Sequence, residues 1–156
     1  MNTRNTSLSQ TVLEILNRDL NKVIQEIESY KNENHIWSLA GNIGNTGGNL
    51  ALHIAGAINH FIGAVLGRNG YVRERDKEFS EKNITRDEIL SKVKSAIETI
   101  HQVLPVISLE ILEDEFPEKP GGKSMTTGFF MIHLVSHINY HLGQINYHRR
   151  LLDKNQ

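Results

Sequence analysis

Cysteine is absent from the 156-residue chain, and proline occurs only three times. The lack of cysteine excludes disulfide bonds, thiolate metal ligands and a cysteine nucleophile, and it is typical of proteins from reducing compartments. The scarcity of proline leaves long stretches without helix-breaking residues. We therefore expect long helices, with nitrogen or oxygen groups supplying any metal ligands.

The chain also lacks a strong net charge and a targeting segment. Its formal net charge is −1 with neutral histidines, so no overall basic field favours nucleic acid. The N-terminal residues show no signal-peptide pattern, and we expect no apolar run of the roughly 20 residues that a membrane-spanning helix needs. These features predict a soluble, cytoplasmic protein of one domain, residues 1–156, without nucleic-acid or membrane partners.

Apolar residues spaced three and four positions apart predict four helices, at about residues 9–31, 48–66, 86–106 and 124–152. Asn45 or Thr46 is a candidate cap for the second helix, and Thr85 with Glu88 forms a capping box for the third. Strand patterns are weak. The sequence predicts an all-α, four-helix bundle.

The connections between these helices are long and rich in glycine or charge. A glycine-rich segment precedes the second helix, and residues 67–83 and 113–124 are interpreted as polar loops. The first predicted helix has enough apolar residues to contact both the core and a partner. A homodimer is therefore expected.

The histidines of the chain are clustered in the sequence. Four of the eight histidines lie in one stretch, at His133, His137, His141 and His148. On a helical projection His137 and His141 lie about 40° and 80° from His133, on the arc that also carries aliphatic residues. Each buried imidazole without a partner would cost about 1–3 kcal/mol. Histidines at positions i and i+4 can direct nitrogens to one point, so a divalent metal ion would satisfy them.

The second predicted helix adds His53 and His60, which lie on one stripe seven residues apart. Six histidines thus lie on the inner or near-inner faces of two helices, whereas His35 and His101 look incidental. Two interpretations follow from the residues alone. One is a metal site with three ligands from these candidates, and the other is a set of core histidines bonded to carbonyls or carboxylates.

LHIAGAINHFIG at residues 52–63 and HINYHLGQI at residues 137–145 resemble the DinB-like superfamily, which includes YfiT-like metal-dependent hydrolases and bacterial thiol S-transferases. The resemblance extends over most of the chain, with GYVRERDKEF and YHLGQINYHRRLL similar to one bacterial subgroup. It implies a four-helix bundle in up-down-down-up order.

The resemblance also implies the metal ligands. Metal-binding members use one histidine of helix two and an HxxxH pair of the last helix, and the matching residues are His53, His137 and His141. The other histidines of these helices would line the pocket or support a ligand: His60, His133 and His148. We expect Asn49, His60 and His133 to orient a ligand through a hydrogen bond.

The implied activity is that of a metal-dependent transferase or hydrolase acting on a small molecule. Zinc or nickel suits three histidines, and iron or manganese also accepts them. Because the chain has no cysteine, a thiol for S-transfer would have to be a low-molecular-weight cofactor. Leu142 stands where arginine is common, so substrate recognition does not carry over. The alternatives are a metal- or small-molecule-binding bundle without turnover, or a dimeric structural protein that has lost its metal.

Overall fold

The computed structural model describes residues 7–154, and this part of the chain is all-helical, as predicted. The six α-helices are α1 (Leu8–Glu28), α2 (Gly47–Ile58), α3 (Arg75–Ser80), α4 (Arg86–Val103), α5 (Leu109–Glu113) and α6 (Thr127–Leu152). A π-helix, Asn59–Leu66, continues α2, and three 3-10 turns cover Glu33–Trp37, Leu104–Val106 and Pro120–Gly122.

Each of the four long helices begins at a serine or threonine that caps it. The side-chain oxygens of Ser7, Thr46, Thr85 and Thr126 each accept a hydrogen bond from a backbone N–H of the first turn. The caps predicted at Thr46 and Thr85 are therefore confirmed. The predicted end of α4 was too late, because a 3-10 turn containing Pro105 follows Val103.

The four long helices enclose one hydrophobic core. Both α1 and α2 pack against α4 and against α6. The apolar stripe of α1, which we considered for a partner contact, is buried at Val12, Leu16, Leu20 and Val23. This stripe is therefore part of the core.

Helix α2 with its π-helical continuation is the most apolar element of the described chain. By length and composition alone Gly47–Leu66 could cross a membrane, so our expectation that no run approaches this length was wrong. The core helix of a soluble protein passes the same test, and 72% of the most apolar window here is buried. Close packing explains one of the glycines of this helix, since a Cβ at Gly48 would lie 2.7 Å from the Trp37 ring.

The segment predicted as a polar loop at 67–83 contains helix α3. This helix packs against α2, and the Asn49 side-chain amide fixes it by donating to the backbone oxygens of Glu78 at 3.0 Å and Glu81 at 2.9 Å. Six residues are too few to show a helical period in a charged stretch. Helix α3 was therefore not predicted, although it carries Glu78, a side chain of the site described below.

Candidate metal centre

Three histidines from two helices converge at one point. His53 lies on α2, while His137 and His141 are one turn apart on α6. The Nε2 atoms of His53 and His137 are 3.0 Å apart, and one ring nitrogen from each of the three histidines lies within 4.8 Å of the others. Tetrahedral zinc with nitrogen ligands at about 2.0–2.1 Å would separate those nitrogens by roughly 3.3 Å. Small side-chain movements would therefore suffice for a shared ion.

His53 is held by a buried ion pair. Its Nδ1 is 2.8 Å from Oε2 of Glu78, and Arg73 donates to both oxygens of the same carboxylate, at 2.6 and 2.8 Å. An Nδ1–H that donates to a carboxylate leaves the Nε2 lone pair free. That lone pair points toward His137, in the orientation that a metal ligand requires.

The backbone of α2 makes room for this carboxylate at Gly56. A Cβ at this position would overlap Oε1 of Glu78 and would lie 2.7 Å from its Cδ. Any larger residue would therefore displace the carboxylate from His53. The glycine is one turn beyond His53 along the chain, so the same helix supplies the imidazole and the space for its support.

Hydrogen bonds keep Glu78 charged despite its burial. Burial opposes the charged form, but hydrogen bonds from His53 and Arg73 and the charge of Arg73 outweigh it and hold the pKa of Glu78 below its ordinary value. The carboxylate thus remains an acceptor for the His53 Nδ1–H.

His141 is oriented in the same way by a different group. Its Nδ1 is 2.6 Å from Oε1 of Gln144, one turn further along α6, and a donor at Nδ1 leaves Nε2 unprotonated. Burial lowers the pKa of His141. Burial, followed by the neighbouring histidines His141, His53 and His133, lowers the pKa of His137 to about 4. His137 and His141 are therefore neutral at neutral pH.

The other histidines have separate partners. His133 is exposed and its ring stacks on that of His137, with centroids 6.2 Å apart. Nε2 of His60 lies 3.1 Å from Oε2 of Glu118. We had expected His60 to hydrogen-bond to a metal ligand, whereas this contact is to a carboxylate outside the converging histidines. His148 is buried, with Nδ1 2.7 Å from the Tyr30 hydroxyl and Nε2 2.8 Å from the Ser38 carbonyl. Both nitrogens of His148 are thus engaged away from the converging histidines.

His35 and His101, which looked incidental, contact Asp153 and Asn17. Asn49 was expected to orient a ligand directly, but it acts one step further away by fixing the backbone of Glu78. The residues that support His53 directly, Arg73 and Glu78, were missed. Both occur in the quoted phrase GYVRERDKEF, yet a buried acid in a charged segment has no distinguishing spacing.

These features define the class: an all-helical protein in which three histidines from two helices form a group that could hold a metal ion. The chain belongs to the DinB family, whose sequence model matches residues 1–152. The predicted family is thereby confirmed.

One solved structure shows how far the fold is shared. The crystal structure of a conserved protein from Enterococcus faecalis matches 92% of this chain and 96% of its own, with a TM-score of 0.67 and 16% sequence identity. At this identity the similarity shows the fold alone. Among curated proteins, none matches the chain.

Proposed function

We propose that the protein binds one divalent metal ion through His53, His137 and His141. The observation that carries this proposal is the engagement of two Nδ1 atoms by Glu78 and Gln144, which leaves Nε2 of His53 and of His141 unprotonated beside the ring of His137. Unprotonated nitrogens from separate helices at one point are the arrangement that a shared metal ion needs. Zinc and nickel suit such nitrogen ligands best, and iron and manganese also accept them.

The proposed activity is metal-dependent transfer or hydrolysis on a small molecule. Three neutral imidazoles leave the charge of a divalent ion uncompensated, and such an ion lowers the pKa of a coordinated water or thiol. Because the chain has no cysteine, a reacting thiol would come from a low-molecular-weight cofactor. Membership of the DinB family supports a metal-binding protein of this kind.

The surroundings of the site suit a small ligand. A cavity of about 340 Å³ adjoins Gln144 and is bounded by Leu50, Tyr147 and the loop at residues 42–45. Gln144 contacts both this cavity and His141. A small substrate in the cavity would thus contact Gln144, the side chain that orients His141.

A metal-binding protein without turnover is the second candidate. Glu78 is the carboxylate in contact with a proposed ligand, and its two oxygens are engaged by His53 and Arg73. It is therefore poorly suited to accept a proton from a reacting group. This observation favours binding over catalysis unless the substrate or solvent takes the proton.

The fold and location that accompany the proposal are those expected from the sequence. The packing of α1 and α2 against both α4 and α6 supports a four-helix bundle. Contacts at the helix ends support the up-down-down-up order. His148, near the end of α6, lies beside Tyr30 after the end of α1 and beside Gly47 at the start of α2. Ser9 at the start of α1 contacts Ile107 after the end of α4. We propose a cytoplasmic location, in keeping with the lack of cysteine.

Metal analysis of protein purified without a polyhistidine tag tests the proposal. We expect one equivalent of a divalent ion in the wild-type protein and a loss of stoichiometric metal in His137→Ala. His101→Ala is the matched control, because His101 is exposed and contacts Asn17. Equal metal content in the two variants would contradict the assignment.

Assays with metal-loaded protein separate the two candidates. A thiol offered together with an electrophile tests S-transfer, and a panel of small esters and amides tests hydrolysis. Turnover that disappears in His137→Ala supports the enzyme. Stoichiometric metal without turnover of any of these substrates supports the binding protein.

A further inference from the structure

Helix α6 has an exposed face without a single charged side chain. No aspartate, glutamate, lysine or arginine occurs between Lys123 and Arg149. Five large apolar residues of this helix are between 51% and 65% exposed: Phe129, Ile132, Tyr140, Tyr147 and Leu151. With Ser136 and Gly143 between them, they form a stripe along the helix, which we name the α6 face.

The other long amphipathic helices do not share this feature. The exposed side of α1 carries Glu14, Arg18 and Lys22, and that of α4 carries Lys94 and Glu98. Charged residues in each turn are what a solvent-facing helix ordinarily shows. The α6 face is therefore unlike the solvent-facing surfaces of the same protein, and contiguous apolar patches of this kind mark binding surfaces.

We propose that the α6 face binds the α6 face of a second copy, with the two helices antiparallel across a two-fold axis. In a two-fold contact the same surface meets itself, so a face without charge brings no like charges together. A charged partner could form no ion pair with the side chains of the stripe itself.

The charges at the two ends of the helix favour the antiparallel arrangement. Exposed acids at Glu110, Glu113 and Asp114 lie beside the start of α6, where the backbone N–H of Thr127 donates to the Asp114 carbonyl. The exposed Arg150 lies at the opposite end of the helix. Antiparallel pairing brings Arg150 of each copy next to the acids of the other, whereas parallel pairing would set Arg150 against Arg150.

Small residues at the middle of the stripe fix where the helices cross. Ser136 and Gly143 are seven residues apart, and a Cβ at Gly143 would meet nothing within 4 Å. Small side chains let helices approach to about 8 Å. If Ser136 of one copy faces Gly143 of the other, Ile132 faces Tyr147 in the same register.

The area available agrees with a specific interface. A buried aromatic side chain contributes about 150–250 Å², so five large side chains that are a little over half exposed offer roughly 500 Å² per copy. The backbone and smaller residues between them add to this. A standard interface buries about 800 Å² per partner, so the α6 face supplies most of what a stable dimer needs.

Metal binding does not depend on the proposed contact, although Tyr147 and Leu151 belong both to the α6 face and to the wall of the cavity beside Gln144. All three proposed ligands come from one chain, so dimer formation is not needed to assemble them. The Tyr140 ring, with its centroid 5.3 Å from that of His141, would place the second copy beside the histidines.

Sedimentation velocity from low to high micromolar protein tests the proposal. We expect the wild-type protein to sediment as a dimer and Ser136→Arg to sediment as a monomer at the same concentrations. Ser91→Arg places the same side chain on the exposed surface of α4 and should leave the dimer intact. Circular dichroism should show equal helix content in all three proteins. A monomeric wild-type protein, or a Ser136→Arg dimer, would overturn the proposal.

Cross-linking tests the register, and the cysteine-free chain makes it unambiguous. We expect oxidation of the double variant Ser136→Cys, Gly143→Cys to give a covalent dimer, and either single variant to give little. Positions seven residues apart on one helix are about 10 Å apart, so the bond must join two chains. Ser91→Cys, Glu98→Cys on α4 is the spacing-matched control. Equal cross-linking in both double variants would refute the antiparallel contact.

Discussion

Replacing Glu78 with Gln should cost about 3 kcal/mol of unfolding free energy, because it leaves the Arg73 guanidinium buried without a counter-charge. The two side chains are 8% and 10% exposed, and their shortest N–O distance is 2.6 Å. Two unit charges about 3 Å apart attract by roughly 5–6 kcal/mol at an effective dielectric constant near 20. Desolvation of both charges offsets a large part of this attraction.

A double-mutant cycle measures what remains. The variants are Glu78→Gln, Arg73→Met and their combination, each unfolded with urea. We expect a coupling energy of about 2–3 kcal/mol between the two positions, at the upper end of what contacting residues show. Because Glu78 also orients His53, Glu78→Gln should weaken metal binding by about 10- to 100-fold.

A neighbouring pair provides the control. Glu74 and Lys77 form an ion pair of 2.8 Å in the same segment, but their side chains are 62% and 60% exposed. Their coupling, from Glu74→Gln and Lys77→Met, should be much weaker than that of the buried pair, because water screens the charges of exposed side chains. If the buried pair couples no more strongly than this exposed pair, burial does not strengthen the interaction and our account of the His53 support is wrong.

Three further predictions concern the same core. Gly56→Ala should destabilise the protein, although alanine is favoured over glycine by about 1 kcal/mol in a helix, because its Cβ displaces the Glu78 carboxylate; stabilisation in urea unfolding would contradict the packing. Below its unfolded pKa of 6.5, His137 binds a proton more readily in the unfolded state than in the folded state, where its pKa is about 4. The metal-free protein should therefore lose stability as pH falls from 6.5 towards 4, and His137→Gln should flatten that dependence. Tyr30→Phe leaves Nδ1 of the buried His148 without its donor and should cost about 1–2 kcal/mol; an unchanged urea midpoint would show that water replaces the hydroxyl.

The histidine cluster was accessible from sequence because periodicity determines which side of a helix a residue occupies. It does not by itself determine which residues meet. His148 projects between His137 and His141 in angle, yet it lies seven residues beyond His141, about 10 Å along the axis. His60 is equally far from His53. Both therefore contact other residues, and the three histidines that do converge are the ones matched through the family resemblance.

The support of His53 could not be predicted, because it depends on residues distant in the chain. Glu78 lies 25 positions from His53 and reaches it only because Gly56 leaves space and Asn49 fixes the α3 backbone. None of these contacts has a local period. A charged hexapeptide that folds onto the core has the composition of a solvated loop, so only the packed structure distinguishes the two.

The geometry also explains how the site can exist in a stable metal-free protein. With the Nδ1–H groups of His53 and His141 committed to Glu78 and Gln144, the nitrogens that remain at the centre are acceptors. His137 is the ring whose tautomer these contacts leave free, and an Nε2–H on it can donate to Nε2 of His53 across 3.0 Å. The imidazoles thus satisfy one another without an ion. Since a pKa of about 4 keeps His137 neutral at neutral pH, its Nε2 would become available to a metal ion if its proton moved to Nδ1, with no net release of a proton. On the proposed function, the same three rings would form a hydrogen-bonded core without the ion and would be its ligands when it binds, so the two interpretations that the sequence left open are compatible.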